Sequence, residues 1–297
     1  LRYVGVKPNP LDYSLIGESM WTEEHRQWEH VDFRSLKEGN AFPKNFMWGV
    51  ATASHQIEGG NTNNWSAFEP YSKSQQLSGD ACDHWNRREE DVSLIKELGV
   101  SHYRFSIEWS RIEPQEGQFD SEAIQWYSDL VDELLIQGIQ PMATLHHFTQ
   151  PLWWDERGGF EKEENIAGWV NFCSLMFEHL SNRVEWWCTI NEPAVYATMG
   201  YVLGEFPPGV RSFKRVRTVS LNLMRAHAQC YRTLKGMKNG DKCQIGLVKN
   251  INIFDPYRRW NPLHWMQAKI LDGMFNKCWL KSLRTGKFKP PPALFSK

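Results

Sequence analysis

The stretch "REEDVSLIKELGVSHYRFSIEW", residues 88–109, decides the fold. Acidic residues crowd its start, Val92, Ile95 and Leu98 recur at helical spacing, and Gly99 stops the pattern. "HYRFSIEW" then alternates as a strand. A helix that ends on glycine and returns directly to a strand is part of a β/α unit.

Outward from this stretch the unit recurs. "DSEAIQWYSDLVDELLIQG" sets Ile124, Tyr127, Val131 and Leu134 on one helical stripe, closes on Gly138, and leads into the strand "IQPMATLHHF". "NIAGWVNFCSLMFEHL" repeats the spacing with Ile166, Trp169, Cys173 and Phe177, and the strand "VEWWCTI" follows. A helix over about 216–237 precedes "QIGLVKNINIF". Upstream, Phe46–Thr52 in "FPKNFMWGVATASHQIEGG" reads as a buried strand. Strands alternating with helices of this length predict a parallel sheet with right-handed crossovers. An open doubly wound sheet and a barrel both satisfy that alternation. No GxGxxG or GxxxxGK[ST] follows a strand, which removes the nucleotide-binding version of the first. The strands carry polar residues toward their C-terminal ends: Gln56, Arg104, His147, Asn191 and Glu192. In a (β/α)8 barrel that end holds the active site, so an α/β barrel is expected, incomplete, with about five of its eight units. Residues 1–41 read as an N-terminal extension, and 42–297 as the N-terminal part of a single barrel domain.

Composition narrows the function. With 41% hydrophobic and 23% charged residues the chain has the make-up of an ordinary globular protein. A net charge of −1 gives no electrostatic reason to expect nucleic acid or an anionic membrane. The longest uncharged run, 134–154, is broken by glycine, prolines and histidines and is no membrane span. No signal peptide pattern opens the chain, and the six cysteines lack metal spacing; several fall in apolar runs and read as buried free thiols. A reducing, cytoplasmic setting is therefore expected. The 15 tryptophans read mainly as packing, Trp65, Trp153 and Trp154 included, with at most one of these three facing a sugar ring.

The sharpest chemical signal is "WWCTINEPAVY", residues 186–196. An apolar strand ends on an amide and a carboxylate. Pro193 disfavours right-handed helical backbone at Glu192, which predicts an extended carboxylate held at a strand end. Strand alternation would turn Asn191 and Glu192 to opposite faces, so bringing both to one site requires a bulge or twist there.

Four blocks carry a family resemblance: "NFMWGVATASHQIEG", "GDACDHWNRREEDVSLIKELGVSHYRFSIEWSRIEP", "TLHHFTQPLWWDERGGF" and "INEPAVYATMGYVLGEFPPG". Together they resemble glycoside hydrolase family 1, the retaining β-glucosidases and β-galactosidases, from about residue 42 to about 290. The resemblance implies a (β/α)8 barrel that hydrolyses β-linked O-glycosides by double displacement, with no cofactor and no metal. It implies Glu192 as general acid/base, and Gln56, His147 and Asn191 as ligands of the sugar hydroxyls, Asn191 at the 2-hydroxyl. Arg104 would lie near the nucleophile and support its charge. Phe148 would line the pocket where tryptophan is usual, and Glu108 stands where serine is commonest. The family's nucleophile belongs to a TENG-like motif, and no ENG occurs in the 297 residues. The chain is thus expected to supply the acid/base and part of the glycone subsite. The alternatives are a truncated, non-hydrolytic carbohydrate-binding remnant and a half-barrel completed by a complementing chain or by oligomerisation. The first reading predicts exposed apolar surface at both open edges of the sheet. Neither the sugar, nor the aglycone, nor a preference for 6-phosphosugars is written in these residues.

Overall fold

The computed structural model describes residues 42–43 and 46–288; the proposed extension over 1–41 lies outside them. The chain divides into two compact units, 1–46 and 47–297, and the second carries all the elements below. Five strands form one parallel sheet in sequential order: β1 (Gly49–Ala51), β2 (His102–Ser106), β3 (Gln140–Thr144), β4 (Trp186–Asn191) and β5 (Gln244–Val248). Long helices connect them: α1 (His84–Glu97), α2 (Ser121–Ile136), α3 (Ile166–Leu180) and α4 (Phe213–Gly236). Two more, α5 (Pro262–Asp272) and α6 (Cys278–Thr285), follow β5. A parallel sheet in strict sequence order, with helices as crossovers, is the wall of a barrel.

The helical stripes predict the core well. Ile124, Tyr127, Val131 and Leu134 of α2 are buried, as are Ile166, Trp169, Cys173 and Phe177 of α3. Asp120 caps α2 by accepting from the backbone N–H groups of Glu122 (2.8 Å) and Ala123 (3.1 Å). Gly99 and Gly138 stop α1 and α2 with φ of 70° and 75°, a backbone region that costs glycine little. The core contains Trp109, Trp154, Trp169 and Trp187, all at most 2% exposed, so these tryptophans pack rather than bind. Trp109 stacks on Phe172 with centroids 5.2 Å apart.

Two expectations change. Leu98 is 66% exposed: it caps α1, where the chain turns off the helix axis toward Gly99, and so leaves the buried stripe. β1 spans three residues rather than seven, with Met47 and Trp48 41% and 52% exposed. It pairs with β2 alone among the described strands, so its other edge lacks the neighbour that would bury it. At the opposite edge β5 is only partly buried, and Ile251 and Ile253 beyond it are exposed. The apolar edges expected of an unclosed barrel are present on both sides.

Candidate active site

Arg104, His147, Asn191 and Glu192 gather where the strands end, while no hydrogen bond among the described residues joins Gln56 to them. The register of β4 on β5 shifts between Cys188 and Asn191, an irregularity of the kind expected at this strand end. The C-terminal end of β4 is pinned on both sides: Asn191 N–H donates to His146 O and Glu192 N–H to Val248 O, each at 2.8 Å. Glu192 is not extended as its proline neighbour suggested. It sits at φ 44°, ψ 60°, in the left-handed region. Pro193 disfavours right-handed helix at the preceding residue, and the chain must turn at once into the short helix Pro193–Thr198, so the left-handed conformation is the remaining sharp corner. The Glu192 carbonyl accepts from Val195 (2.8 Å) and Tyr196 (3.0 Å), which fixes the corner. Left-handed backbone at a glutamate is strained, and such strain collects at functional sites. The side chain is half-buried.

Arg104 stands mid-strand in β2, below the strand ends, and its side chain climbs to them. Its Nε donates to Thr144 Oγ1 at 2.9 Å and its Nη2 to Asn191 Oδ1 at 2.7 Å. A guanidinium only donates, so the Asn191 amide must turn its oxygen toward Arg104 and its Nδ2 away. That Nδ2 has no protein partner among the described residues and remains a free donor on the side away from Arg104. His147, just past β3, is half-buried, and its Nδ1 is buried without a protein partner. Burial, then the positive Arg104 and the neighbouring His146, push its pKa down to about 3, so the imidazole is neutral and offers one N–H and one lone pair. Phe148 follows at φ 71°, half-buried, with its ring 5.5 Å from that of Phe206. Asn64 locks this turn by donating to Phe148 O (3.3 Å) and accepting from Gln150 N–H (2.9 Å). Gln56 lies in the short helix Ser54–Ile57 after β1, with its side chain exposed.

Other residues here were not singled out for the site in advance. Lys249, the first residue past β5, lies over the Phe275 ring at 4.3 Å; burial lowers its pKa, while Cys278 and Glu192 oppose the shift. A lone lysine after a strand carries no sequence signal. Beneath the loops lies a buried acid pair. Glu58, 2% exposed, accepts from Tyr127 Oη at 2.6 Å and Arg111 Nε at 3.0 Å. Burial and the nearby Glu108 carboxylate outweigh those partners and push Glu58 up to about 8. Glu108 is fully buried. Its Oε2 accepts from Ser54 Oγ (3.0 Å) and Thr149 Oγ1 (2.9 Å), and its Oε1 from Ser110 Oγ (2.8 Å). Only its position in "SIEW" hinted at it, through the serine expected there.

An arginine-oriented amide beside a half-buried carboxylate, with a neutral histidine on the adjacent strand end, is suited to binding hydroxyls and moving one proton. The family model for glycosyl hydrolase family 1 matches residues 38–292. The chain belongs to glycosyl hydrolase family 1. Beta-glucosidase A of Thermotoga maritima is 38% identical over 227 residues, covering 72% of this chain and 50% of that protein. The cytosolic beta-glucosidase of Homo sapiens is 37% identical over 223 residues, covering 70% of this chain and 47% of that protein. Among solved structures, a beta-glycosidase from Pyrococcus horikoshii superimposes with a TM-score of 0.78 at 41% identity, covering 84% of this chain and 57% of that one. The fold is therefore the family 1 (β/α)8 barrel, of which the described residues show five strands. The chain spans about half the length of the curated relatives it matches.

Proposed function

We propose that this chain is the N-terminal part of a retaining β-glycosidase of the β-glucosidase type, with Glu192 as general acid/base. The observation that carries this reading is the bond from Arg104 to Asn191, the residue before Glu192, which takes the amide oxygen and leaves the amide N–H group without a partner among the described residues. In the first step a nucleophilic carboxylate attacks the anomeric carbon, the C1–O bond to the leaving group breaks, and protonated Glu192 delivers its proton to the departing oxygen. In the second step Glu192 takes a proton from water as the water oxygen attacks the anomeric carbon and releases the nucleophile. Retention requires the two carboxyl groups to lie about 5–5.5 Å apart.

The nucleophile is assigned to polypeptide outside these 297 residues, from the part of the barrel that joins β5 back toward β1. The exposed edge residues Met47, Trp48, Ile251 and Ile253 favour such completion over a self-contained carbohydrate-binding remnant. Asn191 is assigned to the 2-hydroxyl, Gln56 and His147 to hydroxyls on the far side of the same ring, and Phe148 to the wall. Arg104 acts from below, by holding Asn191 and placing positive charge under the site. Residues 42–297 are then one continuous portion of a single barrel domain. The test is to incubate the complete polypeptide with an aryl β-glucoside and follow the first-formed sugar by proton NMR. The β-anomer appearing first supports the reading; the α-anomer first, or no hydrolysis, rejects it.

A further inference from the structure

Glu108 joins three loops at one buried point. It follows β2, yet its Oε2 reaches Ser54 on the β1 side and Thr149 on the β3 side. Ser54 stands two residues before Gln56, and Thr149 two residues after His147. Both hydroxyls are buried, at 3% and 4% residue exposure, so they depend on protein partners. Ser54 is tied further to β2 by its N–H, which donates to Ser106 Oγ at 2.7 Å. Glu108 itself is anchored through its N–H, which donates to Tyr127 Oη at 2.8 Å. No ion pair to Glu108 is formed among the described residues. Its carboxylate is held by three hydroxyls instead. A buried carboxylate without a cation is costly, and serine at this place would avoid that cost. What serine lacks is reach: one short hydroxyl offers less span than a carboxylate that accepts from two loops at one oxygen.

We propose that Glu108 is a positioning residue for the sugar subsite, fixing the segment that carries Gln56 against the segment that carries His147 and Phe148. This rests on the assignment of Gln56 and His147 as sugar ligands made above. Glu108 touches no substrate; it sets the spacing of two side chains that do. Removing its carboxylate breaks the two hydroxyl bonds that join the Ser54 and Thr149 segments through one oxygen, loosens their spacing, and weakens hydroxyl binding in ground and transition states alike.

The experiment compares steady-state kinetics of the complete polypeptide and its variants on an aryl β-glucoside, with rates referred to active sites titrated by a mechanism-based inactivator. Glu108→Ala should raise KM about tenfold or more with kcat within about threefold, as expected when binding common to both states is lost. Glu108→Gln, which keeps the length and one acceptor oxygen, should recover most of that loss. Thr149→Val removes one donor from the opposite side without emptying the core, and should raise KM in the same sense, which keeps the proposal testable if Glu108→Ala does not fold. In a Gln56→Ala/His147→Ala background, adding Thr149→Val or Glu108→Gln should change KM less than about twofold, because the ligands being positioned are gone. A purely structural role would lower the titrated fraction of active sites and leave their KM alone. That result, or additive effects in the double background, overturns the proposal while hydrolysis by the unaltered protein leaves the glycosidase assignment standing. A protein that hydrolyses no β-glucoside removes both.

Discussion

Arg104 Nη2 donates to Asn191 Oδ1 across 2.7 Å, and this one bond turns the amide oxygen toward Arg104 and Nδ2 away from it. The consequence is measurable. Arg104→Met should let the amide rotate and should lower kcat/KM by about 10²-fold, as losses of a charged hydrogen bond and a held donor combine. On a 2-deoxyglucoside, which lacks the hydroxyl assigned to Asn191, the same substitution should cost clearly less. Equal losses on both substrates would separate Arg104 from the orientation of Asn191.

Glu58 makes stability fall as pH rises. Its folded pKa, about 8, lies above the ordinary value of 4.5, so the folded protein holds a proton that the unfolded chain releases more readily. The contribution is fully present below about pH 4.5 and is lost as pH rises through about 8. Glu58→Gln should flatten the decline in unfolding free energy between pH 5 and 8.5, a decline on the order of a few kcal/mol in the unaltered protein. An unchanged slope would mean that Arg111 and Tyr127 hold the carboxylate charged.

The buried histidines act in the opposite direction. Burial pushes His146 and His227 down to about 4, and burial with Arg104 and His146 pushes His147 to about 3. Each folded value lies below the ordinary 6.5, so their stabilising contribution is present above that pH and is lost as pH falls toward 4 and 3. The Cε1 proton shift of His147 should therefore stay flat in NMR from pH 7 to about 4. A midpoint near 6.5 would contradict a neutral imidazole held by its surroundings.

Phe148 holds a left-handed backbone at φ 71° against the ring of Phe206. Phe148→Ala keeps the backbone cost of a non-glycine residue and removes the ring contact. It should lower the unfolding midpoint and raise KM several-fold. Phe148→Gly should be the more stable of the two by about 1 kcal/mol, because glycine adopts positive φ freely. Equal midpoints for the two variants would place no strain at this residue.

The five strands and four crossover helices were legible in the sequence because period and punctuation agree in each unit. The α2 stripe from Ile124 to Leu134, closed by Gly138, is the clearest case. Arg104, His147, Asn191 and Glu192 were visible as polar residues on otherwise apolar strands. What local reading lacks is anything assembled across the fold. Glu58, Glu108 and Tyr127 are separated by up to 69 positions and meet only after the sheet forms, so no spacing announces them. Glu192 shows a second limit: proline excludes one backbone region, and the need for an immediate helix start selects between those that remain. The short β1 and exposed Leu98 mark a third, since an apolar residue is buried only if something covers it.

The most direct test of the central claim replaces the proton of Glu192. Glu192→Gln in the complete polypeptide should be compared with the unaltered protein on aryl β-glucosides whose phenol leaving groups span several pKa units. If Glu192 protonates the departing oxygen, the first-step rate should fall by about 10²–10⁴-fold for poor leaving groups and far less for 2,4-dinitrophenol, which departs without a proton. A loss of the same size across the whole series would contradict the assignment.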